Sequence, residues 1–143
     1  MVHKRIYTLG TGRRGEEEFI EILLYYDIKT VIDVRRFPTS KISIFKKENL
    51  KTMLNNVGIN YFFIGSELGG FRKGGYEAYT NTEEFKKALD KLEDIAIKDN
   101  SVIICAERFP WKCHRKWIAR ELHRRQWVIE HIIDKGKIWA PKD

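Results

Sequence analysis

The sequence predicts an α/β fold: a mostly parallel sheet of about five strands with helices on both faces, three layers in a Rossmann-like arrangement. Three observations predict it. Strand-like and helix-like stretches alternate from one end to the other, which implies right-handed βαβ crossovers. The run IKTVIDVR from Ile28 is nearly continuous and β-branched, as expected of a strand covered on both sides. No repeat, low-complexity segment or Pro/Gly/Ser linker interrupts the alternation, and 143 residues fit one ordinary domain, 1–143.

Arg5 to Leu9 is the first strand, ending in the glycines of GTGRRG. Glu16 to Tyr26 reads as a helix: Phe19, Leu23 and Tyr26 share a face with Ile20 and Leu24 beside them, and three glutamates favour the positive end of its dipole. The Ile28 run is strand two. Lys46 to Val57 is the next helix by its Leu50, Met53, Leu54, Val57 stripe, and Gly58 stops it as a left-handed cap would. Asn60 to Ile64 is strand three. After a long glycine-rich connection, Thr80 to Glu83 or Asn81 to Glu84 offers a capping box for a helix carrying Phe85, Ala88, Leu89, Leu92 and Ile95 on one side. Ser101 to Ala106 is strand four. A basic helix runs from about Trp111 or Lys112 to Gln126, with Trp117, Ile118 and Leu122 inward; VIEHII from Val128 is strand five, and the tail around Trp139 is an edge strand or a cover for the core.

Composition sets further bounds. The chain is 43% hydrophobic and 13% aromatic, as in packed globular proteins, without an apolar run of membrane-spanning length. The opening MVHKRIYTLG lacks a secretory signal's apolar core, so a cytoplasmic home is expected. There two cysteines are reduced thiols, catalytic groups or metal ligands more readily than a structural disulfide. A net charge of +7 favours anionic partners, a small molecule or nucleic acid. A homodimer is compatible with the sequence but not demanded by it.

Ligands of an open parallel sheet bind outside the carboxyl ends of its strands. That rule gathers GTGRR, DVRRFP, GSELGGFRKGGY and CAERFPWKCHR. Asp33 and Arg35 lie two apart and project to one side of their strand, either satisfying each other or leaving Arg35, with Arg36 behind it, as a fork for a phosphate or carboxylate. Gly10 and Gly12 could bring backbone amides to an anion, but neither GxGxxG nor GxxxxGK[ST] is present and no cofactor is implied. In the glycine-rich connection Glu67 could orient a group, Gly69 and Gly70 permit close approach, and Phe71, Arg72, Tyr76 and Tyr79 either stack a base or cover the core.

Cys105 ends strand four, while Cys113, His114 and Arg115 fall at the first turn of the basic helix, where amides and dipole stabilise anions. With Lys112 and Arg115 beside it, Cys113 reads as a thiolate nucleophile or redox group. Glu107 or His114 would move protons, and Cys105 is a candidate resolving thiol. Two cysteines with seven residues between them and one adjacent histidine fall short of a zinc site, and His3, His123 and His131 give no paired spacing with them.

Together YTLGTGRRGEEEF, IDVRRFP with Ser40 after it, ELGG and above all CAERFPWKCHR resemble the domain of unknown function 488 family, from about Ile6 to Ile133. The resemblance implies that Asp33, Arg35, Glu107, Cys113, His114 and Arg115 share that family's crevice. Its members usually carry a Gly-His-Ser-Asn-like turn after the first strand; here the turn is Gly10, Thr11, Gly12, Arg13, so a role resting on that histidine has no counterpart. A more distant likeness to rhodanese-like sulfurtransferases would put a persulfide on Cys105, although Arg115 follows it by ten residues, too far for that family's short anion loop. The cysteine-phosphatase spacing is absent, with Trp111 and Ala119 where its arginine would stand.

These residues make a small enzyme with a cysteine-containing, anion-binding crevice the leading reading, acting on a phosphorylated or nucleotide-like substrate. The alternative is a nucleic-acid-binding module using Lys112, Arg115, Lys116, Arg120, Arg124 and Arg125 with loop aromatics.

Overall fold

The computed structural model describes residues 4–37 and 45–140, so His3 and Ser40 lie outside the described residues. In chain order the elements are β1 (Arg5–Gly10), α1 (Glu16–Tyr25), β2 (Thr30–Asp33), α2 (Lys47–Asn56), β3 (Asn60–Phe63), α3 (Gly65–Leu68), α4 (Tyr76–Tyr79), α5 (Glu83–Ala96), β4 (Ser101–Cys105), α6 (Arg115–Arg124), β5 (Val128–Asp134) and β6 (Lys137–Trp139).

The strands form one sheet in the order β3-β2-β4-β1-β5-β6. All neighbours pair in parallel except β6, which returns antiparallel to β5 across a Gly136 turn in the left-handed region. Period-two alternation splits the apolar side chains between two cores. Ile6, Ile32, Val34, Ile103 and Cys105 meet the buried faces of α5 and α6. Tyr7, Leu9, Val31, Val102 and Ile104 meet α1 and α2. The result is the three-layer α/β arrangement. Register sets Gly10 opposite Cys105 and Asp33 opposite Ile104, so the carboxyl ends of β1, β2 and β4 finish side by side.

Four local expectations change. In α1 it is Ile22, not Leu24, that joins Phe19 and Leu23 in the core; Leu24 is exposed. The glycine-rich connection is not one long loop, because α3 and α4 fold within it. The cap of α5 is Thr82, whose hydroxyl accepts the Phe85 amide at 3.2 Å; the Thr80 hydroxyl donates instead to the Glu77 carbonyl. The basic helix starts at Arg115. Pro110–Lys112 closes a separate 3-10 turn, and the chain passes Cys113 in an extended conformation before His114 caps α6. Cys113 therefore precedes the first helical turn.

Candidate active site

From its carboxyl end β2 leads toward β3, whereas its neighbour β4 leads through α6 to β5 on the other side. Chains leaving in opposite directions open a crevice in a parallel sheet. One of about 410 Å³ lies here, lined by Arg35, Arg36 and Phe37 after β2, by Gly70 and Phe71, by Cys105, Ala106 and Glu107 after β4, and by Lys112, Cys113 and His114. Three of the four segments gathered by the strand-end rule meet in it. The fourth, GTGRR, braces it from behind. The Thr11 and Gly12 amides donate to the Cys105 and Ala106 carbonyls at 2.8 and 2.9 Å. Gly10 has no room for a side chain, since a Cβ would overlap the Glu107 carbonyl oxygen.

The β2 side of the crevice is built on a carboxylate. Arg35 Nε and Nη2 donate to Asp33 Oδ1 and Oδ2 at 2.9 and 2.8 Å, Nη1 donates to the Phe45 carbonyl at 2.6 Å, and the Tyr61 hydroxyl donates to Asp33 Oδ2 at 2.6 Å. Burial works against the Arg35 charge, but the hydrogen bonds and charge of Asp33 outweigh it and hold the guanidinium above its ordinary pKa. Every nitrogen of Arg35 is thus engaged within the protein.

The opposite side is built without one. Arg115 is 0% exposed. Its Nε donates to Thr8 Oγ1 at 3.2 Å, Nη2 to the Arg108 carbonyl at 2.9 Å, and Nη1 to both the Glu107 carbonyl and Cys105 Sγ, the last at 2.7 Å. Among the described residues no carboxylate lies within ion-pairing distance of it. Burial lowers its pKa to about 10, with the Glu107 charge opposing and that of Arg14 adding.

The two sulfurs meet in front of this guanidinium. Cys105 Sγ and Cys113 Sγ face each other in direct contact, their Cα atoms 7.7 Å apart. Cys105 is 1% and Cys113 7% exposed, so Cys113 is the outer of the pair. Cys113 Sγ accepts the Arg115 amide at 3.5 Å and lies 3.6 Å from His114 Nδ1. His114 Nε2 faces the Val34 carbonyl at 3.0 Å and must be its donor, which leaves Nδ1 as an acceptor toward the thiol. Burial lowers the His114 pKa to about 4 against the Val34 hydrogen bond, and the Arg115 and Arg72 charges add to the shift. At neutral pH the ring is a hydrogen-bond acceptor and a weak base.

The remaining candidates divide. Arg36 Nη1 donates to the Gly70 and Phe71 carbonyls, and Gly69 packs so closely on Arg36 that a Cβ would overlap it; these contacts pin the glycine-rich loop over the crevice. Glu107 lines the crevice and its carboxylate accepts the Phe109 amide. Glu67 is not among the lining residues, and its carbonyl accepts the Tyr79 hydroxyl. Tyr76 and Tyr79 are buried in the α5 core, while Phe71 is 86% exposed beside Phe37 at the crevice mouth. On the basic helix Arg120 pairs with Glu77 and Glu121, Arg124 with Glu121, and Arg125 with Asp90 and Glu93.

Two participants carry no motif. Thr8 and His131 are buried on the same side of the sheet as Cys105, with Thr8 Oγ1 2.6 Å from His131 Nδ1. The available signal is parity: Thr8 shares a strand face with Ile6, and His131 with Ile129, so each is a polar side chain on an inward position.

Among the described residues no three His, Cys, Asp or Glu side chains come together to hold a metal, and no helix is long and apolar enough to cross a membrane. A family model described as "Domain of unknown function DUF488" matches residues 16–122. No curated protein and no solved structure matches the chain.

Proposed function

Because the chain belongs to the DUF488 family, whose description assigns no activity, we propose a function from its own site: the crevice is a thiol–disulfide exchange centre in which Cys113 is the attacked, outer sulfur and Cys105 the inner one. One observation carries this reading. A fully buried guanidinium lies 2.7 Å from Cys105 Sγ and, among the described residues, has no carboxylate within ion-pairing distance. A thiolate at Cys105 is the counter-charge that position favours, since a nearby arginine stabilises sulfur in its anionic form.

The chemistry balances as follows. A substrate thiolate attacks Cys113 Sγ, the Cys113–Cys105 bond breaks, and Cys105 leaves with the electron pair as a thiolate held by Arg115. A second substrate thiolate then attacks the substrate sulfur of the mixed disulfide, forming a substrate disulfide and releasing Cys113 as a thiolate. That thiolate takes up a proton, which His114 Nδ1 then holds in place. Two electrons pass from two substrate thiols to the protein, and a disulfide of the surrounding low-molecular-mass thiol pool reverses the sequence to regenerate the bridge. A stabilised leaving thiolate speeds the first step.

The substrate class is a small anionic thiol or disulfide. A phosphorylated or nucleotide-like group on it would meet Lys112 and Arg36 at the mouth, because Arg35 and Arg115 are buried and turned to partners within the protein. The test is equilibration in glutathione redox buffers followed by differential alkylation and mass spectrometry. Cys105 and Cys113 are expected to change state together and reversibly. A pair that stays oxidised, or stays reduced, across the whole accessible range sinks the proposal.

Sulfur transfer is the second reading, and the same contact favours it: Arg115 comes ten positions after Cys105 in sequence, yet its guanidinium reaches the sulfur. There Cys105 would attack the sulfane sulfur of thiosulfate and expel sulfite with the bonding pair, leaving a persulfide. A mass increase of one sulfur atom on the thiosulfate-treated Cys113→Ser protein would support it; its absence would remove it.

A further inference from the structure

A second concavity lies away from the cysteines, between α6 and the β5–β6 edge, with a volume of about 750 Å³, within the range of small-molecule sites. Aromatic rings pave it. Phe109 stacks on Trp111, Trp111 meets Trp139 edge to face at 5.2 Å, and Trp139 meets the His131 ring at 5.5 Å. Trp111 and Trp139 are 44% and 37% exposed, an unusual exposure for a row of large rings.

At the floor of the groove is a buried polar group with one free edge. His131 is 2% exposed and lines the groove. Its Nδ1 lies 2.6 Å from Thr8 Oγ1, an oxygen that already accepts Arg115 Nε–H. The one assignment that leaves no buried proton unpaired has the Thr8 hydroxyl donate to His131 Nδ1. The ring proton is then on Nε2. Among the described residues Nε2 has no hydrogen-bond partner, and no side-chain nitrogen fully sealed from solvent lacks one, so this N–H reaches the groove. A neutral ring agrees with burial and the Arg115 charge lowering the His131 pKa to about 4.

The groove also has a sign. Among the described residues its lining includes Lys116 and Arg120 and no carboxylate side chain. Arg120 is shared with Glu77 and Glu121 outside the lining. Lys116 has only the Trp111 carbonyl and the Trp117 ring as partners among the described residues.

We infer that this groove is a mononucleotide-binding site: the planar base packs among Trp111, Trp117 and Trp139, its edge accepts the His131 Nε2 proton, and its phosphate meets Lys116. Aromatic rings hold bases of any sequence by stacking, and a single buried donor fixes their orientation. The inference is independent of the cysteine chemistry.

The full-length protein would be titrated with AMP, with adenosine and with inorganic phosphate, following tryptophan fluorescence and the His131 Nε2 resonance. AMP should quench saturably and shift that resonance, adenosine should bind more weakly, and phosphate alone should do neither. Trp139→Ala should weaken AMP by at least about tenfold, equivalent to ~1.4 kcal/mol. Lys116→Gln, at an exposed position, should erase the advantage of AMP over adenosine without touching the fold. An absent or unsaturable response to AMP, an equal response to phosphate alone, or a dimer in sedimentation whose interface buries Trp139 would each overturn the inference.

Discussion

Of the arginines buried at the carboxyl end of the sheet, Arg35 and Arg115 stand at the crevice, one on each face, and they are neutralised differently. Arg35, on the face covered by α1 and α2, grips a carboxylate with two of its nitrogens. Arg115, on the face covered by α5 and α6, has two carbonyls, a hydroxyl and a sulfur. A buried cation left without a counter-charge is costly. Asp33 supplies Arg35 with a carboxylate partner, whereas on the proposed reading Cys105 supplies Arg115 with a counter-charge only while reduced and ionised. On the proposed reading the β2 wall is a fixed scaffold, and the β4–α6 wall should respond to the oxidation state of Cys105.

Breaking each pair should expose that difference most strongly. Arg35→Met strands a fully buried Asp33 carboxylate and should cost about 3–5 kcal/mol in denaturant unfolding. Arg115→Met in the oxidised protein strands carbonyls and a hydroxyl but no charge, and should cost about 1–3 kcal/mol. Equal losses would mean that the two walls do not differ in kind.

Acid should act on the Arg115 side. His114 and His131 both have folded pKa values lowered to about 4 from 6.5, chiefly by burial. The unfolded chain therefore binds their protons first. The stability they hold is fully present above about pH 6.5 and is lost as pH falls through about 4, on the order of 3 kcal/mol for each at most. His131→Gln should remove about half of that pH-dependent loss in unfolding measured from pH 7 down to 4. An unchanged slope would mean that His131 is not buried neutral.

Redox measurements sharpen the comparison further. Arg115→Gln takes a charge-assisted hydrogen bond from the Cys105 thiolate, so the reduced form loses stability and the potential should fall by about 30–60 mV. Lys112→Gln, at the exposed mouth, should move it by about 10 mV or less. The smallest effect belongs to Phe71→Gly. The residue has φ 61° and is 86% exposed, so its replacement should leave stability within about 0.5 kcal/mol; a larger loss would make Phe71 part of the scaffold.

Much of this arrangement was legible from residue type and spacing. The β-branched run at Ile28, the Leu50 stripe with Gly58 after it, and the strand-end rule together place Arg35, Cys105 and Cys113 at one crevice. The Asp33–Arg35 pair also follows from period two, since alternate residues of a strand share a face. Tertiary contacts decided the rest. The start of α6 depends on a 3-10 turn and an extended Cys113, which helical periodicity does not register. The partners of Arg115 include Thr8, distant in sequence, and the Glu107 and Arg108 carbonyls, which contribute only backbone. Thr8 and His131 are visible as polar residues on inward positions, but the chain from His131 through Thr8 to Arg115 arises because β1 pairs with β5, setting Thr8 opposite His131.

The central claim is that Cys105 supplies the negative charge that balances Arg115. In the Cys113→Ser protein Cys105 is the sole remaining cysteine, and its ultraviolet thiolate absorbance can be followed as pH is lowered. The absorbance should persist well below about pH 8.5, the ordinary thiol value, and adding Arg115→Gln should shift the titration back up. A Cys105 that titrates as an ordinary thiol, with Arg115 in place and the protein folded, would contradict it.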